Sequence, residues 1–131
     1  MKILKVGLIS HKFEGTKART IARSIELIAR AAAKGAQLIV LQELHQTHYF
    51  CQRENTENFD YAHDFERDLR LWSEVAKRFG VVLVSSLFER RAAGLYHNTA
   101  VVFERDGTIA GKYRKMHIPD DPKFYEKFYF T

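Results

Sequence analysis

The chain has 131 residues, 46% apolar and 13% aromatic, with 21 Lys and Arg against 16 Asp and Glu for a formal charge of +5. That is the composition of one globular domain with a real core, and it excludes a disordered or collagen-like segment. The single cysteine, Cys51, excludes an internal disulfide framework, and no apolar run reaches the ~18 residues of a membrane span or the core of a signal peptide, so a cytoplasmic protein with no membrane partner is expected.

Residues 1–35 carry eight Lys and Arg against two acids. Lys17, Arg19, Arg23 and Arg30 fall on an amphipathic helix, however, where a solvated face is commoner than a phosphate-binding surface, and no nucleic-acid partner is expected. A basic, non-catalytic binding module stays open as the alternative to an enzyme.

KILKVGLIS (2–10) is short and dominated by β-branched and aliphatic residues, the pattern of a buried strand. Ala18, Ile21, Ala22, Ile25, Ile28, Ala29 and Ala32 then recur at steps of three and four, which predicts a helix stopped by Gly35. AQLIVLQE (36–43) is a second buried strand, completing a β-α-β unit with parallel strands and a right-handed crossover. Residues 44–63 show no period and read as loop with one short helical turn.

DFERDLRLWSEVAKRFG (64–80) is helical, with Phe65, Leu69, Trp72, Val75, Ala76 and Phe79 on one side, and VVLVSSLFER (81–90) is a third strand. LYHNTAVVFER (95–105) and TIAGKYRKMHI (108–118), joined by Asp106-Gly107, predict an antiparallel hairpin. The sheet is therefore expected to be mixed. The last segment concentrates Phe124, Tyr125, Phe128, Tyr129 and Phe130 in seven residues, rings that normally need a cover and are expected to lie uncovered in this chain.

Chemistry concentrates in LQELHQTHYFC (41–51). His45, His48 and Cys51 are spaced H-x2-H-x2-C, but steps of three spread side chains round a helix or across both faces of a strand, and a zinc site needs a fourth ligand; no metal is expected. Cys51 as a nucleophile with a histidine base would have to be assembled in space, and a small buried thiol among aromatics is the commoner outcome.

Glu43 differs, because it directly follows Leu38–Leu41 and so ends a buried strand, where open α/β sheets gather functional groups. A buried acid there suits a general base; a carboxylate that merely caps a turn is the equal alternative. Lys115 ends the last hairpin strand with Tyr113 and His117 on its face, where a solvated lysine is the common case. Glu126, His97 and His117 read by themselves as surface or hydrogen-bonded structural groups.

LIVLQELH (38–45), YHNTAVVFERDGTIAGKYRKMHIPDD (96–121) and YEKFYF (125–130) together resemble the nitrilase or carbon-nitrogen hydrolase superfamily, and the flanking words YFCQ and IPDDP are similar to those of its N-carbamoylputrescine amidase subgroup. The resemblance runs over the whole chain. It implies an α/β fold, half of an α-β-β-α sandwich with a mixed sheet and helices on one face, so that residues 1–131 form a partial domain.

It also implies a Glu-Lys-Cys set in which Glu43 matches the general base, Lys115 the lysine, and Glu126 a second glutamate of many members. The nucleophilic cysteine, which follows the lysine on a strand-to-helix turn, has no counterpart among the 131 residues, and Cys51 matches a cysteine of the subgroup's early loop. The activity implied is hydrolysis of a small ureido or amide substrate without a cofactor, by a homo-oligomer when full length: the resemblance points to N-carbamoylputrescine, with an aliphatic amidase or a β-ureidopropionase as the alternative within the family. A chain without the nucleophile is expected to be inactive by itself.

Overall fold

The structure is a computed structural model that describes residues 3–131; Lys2, the first residue of the predicted strand, lies outside them. In chain order it contains β1 (Val6–Ile9), α1 (Lys17–Ala33), β2 (Leu38–Leu41), two 3₁₀ turns (Phe50–Gln52 and Thr56–Ala62), α2 (Phe65–Phe79), β3 (Val82–Ala92), β4 (Leu95–Phe103) and β5 (Ile109–Arg114). A two-stranded ribbon, β6 (Asp120–Asp121) with β7 (Phe124–Tyr125), leads into one helical turn, α3 (Glu126–Tyr129).

The five long strands form one sheet in chain order. β1, β2 and β3 are parallel, in register Gly7↔Ile39↔Leu83. The antiparallel pairing begins one strand earlier than the predicted hairpin, because β3 runs on to Ala92 and turns through Gly94 back into β4. β5 follows antiparallel beyond the Asp106-Gly107 turn, where Gly107 has φ +88° and sits so close to Ser73 that a Cβ would fall 2.7 Å from its carbonyl oxygen.

Both helices cover one face of the sheet. Ile28 of α1 and Phe65, Trp72, Val75 and Ala76 of α2 form one core with Ile39, Leu83, Leu87, Val101 and Phe103. The buried stripe of α1 differs from the predicted one: Ala18 and Ala22 are exposed, and Thr20 and Ser24 are buried with Ile28. Those two hydroxyls tolerate burial because the Thr20 Oγ1 donates to the Thr16 carbonyl and accepts from Glu14 N, and the Ser24 Oγ pairs with His11 Nε2. Lys17 donates to Asp68 at 2.7 Å and ties the two helices together.

Strand alternation sends Val6, Leu8, Leu38, Val40, Val82, Val84, Ser86 and Phe88 to the opposite face. At its far end an aromatic cluster of Phe50, Phe88, Tyr129 and Phe130 encloses Leu44 and Cys51. The expectation of uncovered C-terminal rings is thus corrected: Tyr129 and Phe130 are buried against Phe50 and Phe88, and Phe124 is the large exposed ring of that segment. Among the described residues no helix is long and apolar enough to cross a membrane.

Candidate active site

Three of the sequence-predicted residues converge where β2 ends, on the sheet face away from the helices. The Lys115 ammonium donates to Glu43 Oε1 at 3.1 Å and to Glu126 Oε2 at 2.7 Å, so a single cation bridges two carboxylates. Glu43 arrives from the end of β2, Lys115 from the residue after β5, and Glu126 from the first position of α3.

Each is fixed by local structure. After Glu43 the chain turns sharply, with Leu44 at φ +48°, a conformation that costs a side-chain-bearing residue of order 1 kcal/mol and persists only where surroundings enforce it. Here they do: Leu44 N donates to Ser86 Oγ at 3.0 Å and the Leu44 side chain is buried in the aromatic cluster. Lys115 is placed by its neighbour Arg114, which clamps Glu89 through Nε and Nη2 at 2.8 and 2.7 Å. Burial pushes the Glu89 carboxyl up, but hydrogen bonds from Arg114 and Thr99 outweigh it and hold it below the usual range. Glu126 is almost fully buried and Tyr49 Oη donates to its second oxygen at 2.8 Å.

The two carboxylates are therefore unlike. Glu126 is 3% exposed in its side chain and both oxygens accept strong donors. Glu43 is 49% exposed, with Asn98 Nδ2 at 2.6 Å and Lys115 both on Oε1 and no partner for Oε2 among the described residues. This corrects the expectation of a buried glutamate at position 43: it stands at the open end of the strand, and only one oxygen is committed. Burial lowers the Lys115 pKa, yet the bonds to Glu126 and Glu43 more than compensate and hold it above the ordinary value, so the ammonium is charged.

The other conspicuous residues of LQELHQTHYFC are elsewhere. His45 is buried on the helix side with Nε2 at 2.8 Å from Ser85 Oγ and its ring edge-on to Trp72; desolvation brings it down to about 3, so it is a neutral core histidine. Gln46 joins Trp72 Nε1 to Asp68. His48 is exposed. Cys51 is fully buried in the aromatic cluster, and burial, with Glu126 and Glu43 nearby, pushes its thiol up to about 12; a protonated, inaccessible thiol is no nucleophile. His97 Nδ1 lies 3.1 Å from the Thr131 carbonyl, and His117 is exposed.

Asn98, Ser86 and Tyr49 were not singled out by sequence. Asn98 and Ser86 lie inside apolar strands, and only their pairing across β3 and β4 shows what they hold.

A family model described as carbon-nitrogen hydrolase matches residues 5–131. A citrullinase from Francisella tularensis is 35% identical over 133 residues, covering 100% of this chain and 46% of that protein. An N-carbamoylputrescine amidase from Arabidopsis thaliana is 39% identical over 113 residues, covering 85% of this chain and 38% of the relative. The crystal structure of a carbon-nitrogen hydrolase from Helicobacter pylori G27 superposes with a TM-score of 0.96 at 54% identity, over 98% of this chain and 44% of that one. The chain spans less than half the length of these relatives.

Proposed function

The chain belongs to the carbon-nitrogen hydrolase family, and from that membership we propose that it carries the proton-handling part of an amidase site whose substrate is N-carbamoylputrescine. The observation that supports this reading most is the Lys115 ammonium held between Glu43 and Glu126.

A ureido carbonyl is a poor electrophile, so its hydrolysis needs a thiolate, a base to move the thiol proton, and a cation for the charge that develops on oxygen. Glu43 is the base: its unpartnered Oε2 takes the thiol proton and passes it to the departing nitrogen. Lys115 spends two of its three N–H donors on the carboxylates, which leaves one for the carbonyl oxygen. Thiolate addition gives a tetrahedral intermediate, and ammonia leaves with the relayed proton. Water deprotonated by Glu43 then cleaves the carbamoyl thioester, and the released carbamate splits into putrescine and carbon dioxide. Glu126, buried and with a donor on each oxygen, holds Lys115 and is given no proton-transfer step.

The thiolate of this scheme is not Cys51, so the 131 residues by themselves are expected to release no ammonia. The test compares ammonia release from N-carbamoylputrescine by this chain and by a form extended at its C-terminus with the remainder of a family member's domain. Turnover in the extended form alone, lost on Glu43→Gln or Lys115→Ala, supports the reading; equal turnover by both forms overturns it.

The match to a citrullinase over the whole of this chain and 46% of that protein favours a second reading, in which the same ureido group is carried by an amino acid. Citrulline and N-carbamoylputrescine share the reacting atoms and differ at the far end, so kcat/KM for the two substrates in the extended form decides between them.

A further inference from the structure

One residue touches both halves of the glutamate–lysine pair. Asn98, in the middle of β4 and 4% exposed, donates from Nδ2 to Glu43 Oε1 at 2.6 Å, and its backbone carbonyl accepts from Lys115 N at 2.9 Å. Its side-chain oxygen accepts from Ser86 Oγ at 3.2 Å, and Ser86 in turn accepts from Leu44 N. Glu43, Leu44, Ser86 and Asn98 thus form a closed ring of hydrogen bonds, with every polar group of Asn98's side chain engaged.

We infer that Asn98, braced by Ser86, is the positioning residue of this site: it commits Oε1 of Glu43 to the lysine side and leaves Oε2 as the one oxygen that can accept a proton. The inference rests on the reading of Glu43 as base. A carboxylate on a half-exposed side chain ordinarily rotates and exchanges its two oxygens. Here Asn98 and Lys115 both claim the same oxygen, and rotation breaks two charge-assisted bonds at once. The bond from Leu44 N to Ser86 also holds the turn that follows Glu43, where Leu44 has φ +48°. Asn98 touches no substrate atom in this scheme and acts through Glu43 alone.

Two measurements test it. In the ¹⁵N-labelled 131-residue chain, one side-chain amide proton of Asn98 is expected downfield of those of Asn55 and Asn58, and Glu43→Gln, which removes the charge, shifts it back. An Asn98 signal indifferent to Glu43→Gln overturns the proposal whether or not the protein is an amidase.

In the extended form, Asn98→Asp keeps the size of the side chain and replaces its donor with an acceptor. It is expected to lower kcat by about 10- to 100-fold with KM nearly unchanged, the range that follows from misplacing a reacting group by about an ångström. Ser86→Ala, which leaves Asn98 in place but unbraced, is expected to lower kcat less and in the same sense. Unchanged kcat in a folded Asn98→Asp protein overturns the positioning role, and should Asn98→Asp fail to fold, unchanged kcat in Ser86→Ala does so. If the extended wild type releases no ammonia, the amidase reading falls, while the amide signal still decides where Asn98 sends its hydrogen bond.

Discussion

Acidification should destabilise this chain through His45, and the size of the effect follows from its burial. The imidazole is 1% exposed, and desolvation takes it from an ordinary 6.5 down to about 3 in the folded state. A base whose folded pKa is depressed binds its proton more readily when unfolded, so the stability it contributes is complete above about pH 6.5 and is lost as the pH falls toward 3. Linkage with those two values gives a loss of about 2 kcal/mol at pH 5 and about 3 kcal/mol at pH 4 relative to pH 7.5. With urea slopes of about 1 to 3 kcal/mol per molar, the midpoint at pH 5 falls by on the order of 1 M.

The control is His45→Gln, which retains an amide within reach of Ser85 and cannot titrate, and which leaves the other five of the six histidines in place. The variant is expected to be less stable at pH 7.5, having lost the ring packed against Trp72, but to lose much less stability between pH 7.5 and 5. Parallel pH profiles for wild type and His45→Gln would refute the reasoning and return His45 to the list of accessible, reactive histidines.

Glu126→Gln keeps the Tyr49 contact but removes the 2.7 Å carboxylate from Lys115, so the lysine pKa, followed by ¹³C NMR of its Cε, should fall, at a stability cost of about 1 to 3 kcal/mol. Cys51 should resist an aromatic disulfide reagent at pH 8 in the native chain and react promptly in urea, by a factor of ~100 or more, since burial both blocks it and suppresses its thiolate; rapid native labelling would contradict the buried placement. Gly107→Ala forces a Cβ to 2.7 Å from the Ser73 carbonyl at φ +88°, and should cost about 1 to 3 kcal/mol by urea midpoint, whereas Gly94→Ala, at φ +72° with nothing within 4 Å, should cost less.

The β-α-β unit, the second helix and the mixed sheet were legible because they rest on periodicity and on local stops such as Gly35 and Gly80, signals that one segment carries by itself. Glu43 was legible as a strand-end acid, and Lys115 became so once both words of the family were on one chain. What could not be read was whatever two distant segments decide jointly. Thr20 and Ser24 look like the solvent side of α1, yet they are buried because His11 and the backbone before the helix supply partners. Glu43 looked buried because its strand is, but burial at a strand end depends on what lies beyond, and there the chain turns away at Leu44. The C-terminal rings looked bare because their cover, Phe50 and Phe88, comes from a loop and a strand distant in sequence.

The same distinction explains why the chemically loudest residues of LQELHQTHYFC are quiet in the fold. His45, Gln46 and Cys51 are each satisfied or enclosed by the two cores that meet at this segment: His45 and Gln46 by Ser85, Trp72 and Asp68 on the helix side, Cys51 by the aromatic rings on the other. Glu43 stands between the cores, where the backbone has left β2 and has not yet entered either. A carboxylate there has an anchored oxygen and an open one. Glu126 accepts one donor on each oxygen, from Tyr49 and from Lys115, and is sealed from the solvent that would carry a proton to it. Of the two glutamates on this lysine, Glu126 at 2.7 Å is the nearer and Glu43 at 3.1 Å the farther, so it is exposure and an uncommitted oxygen, rather than distance, that favour Glu43 for the proposed proton transfer.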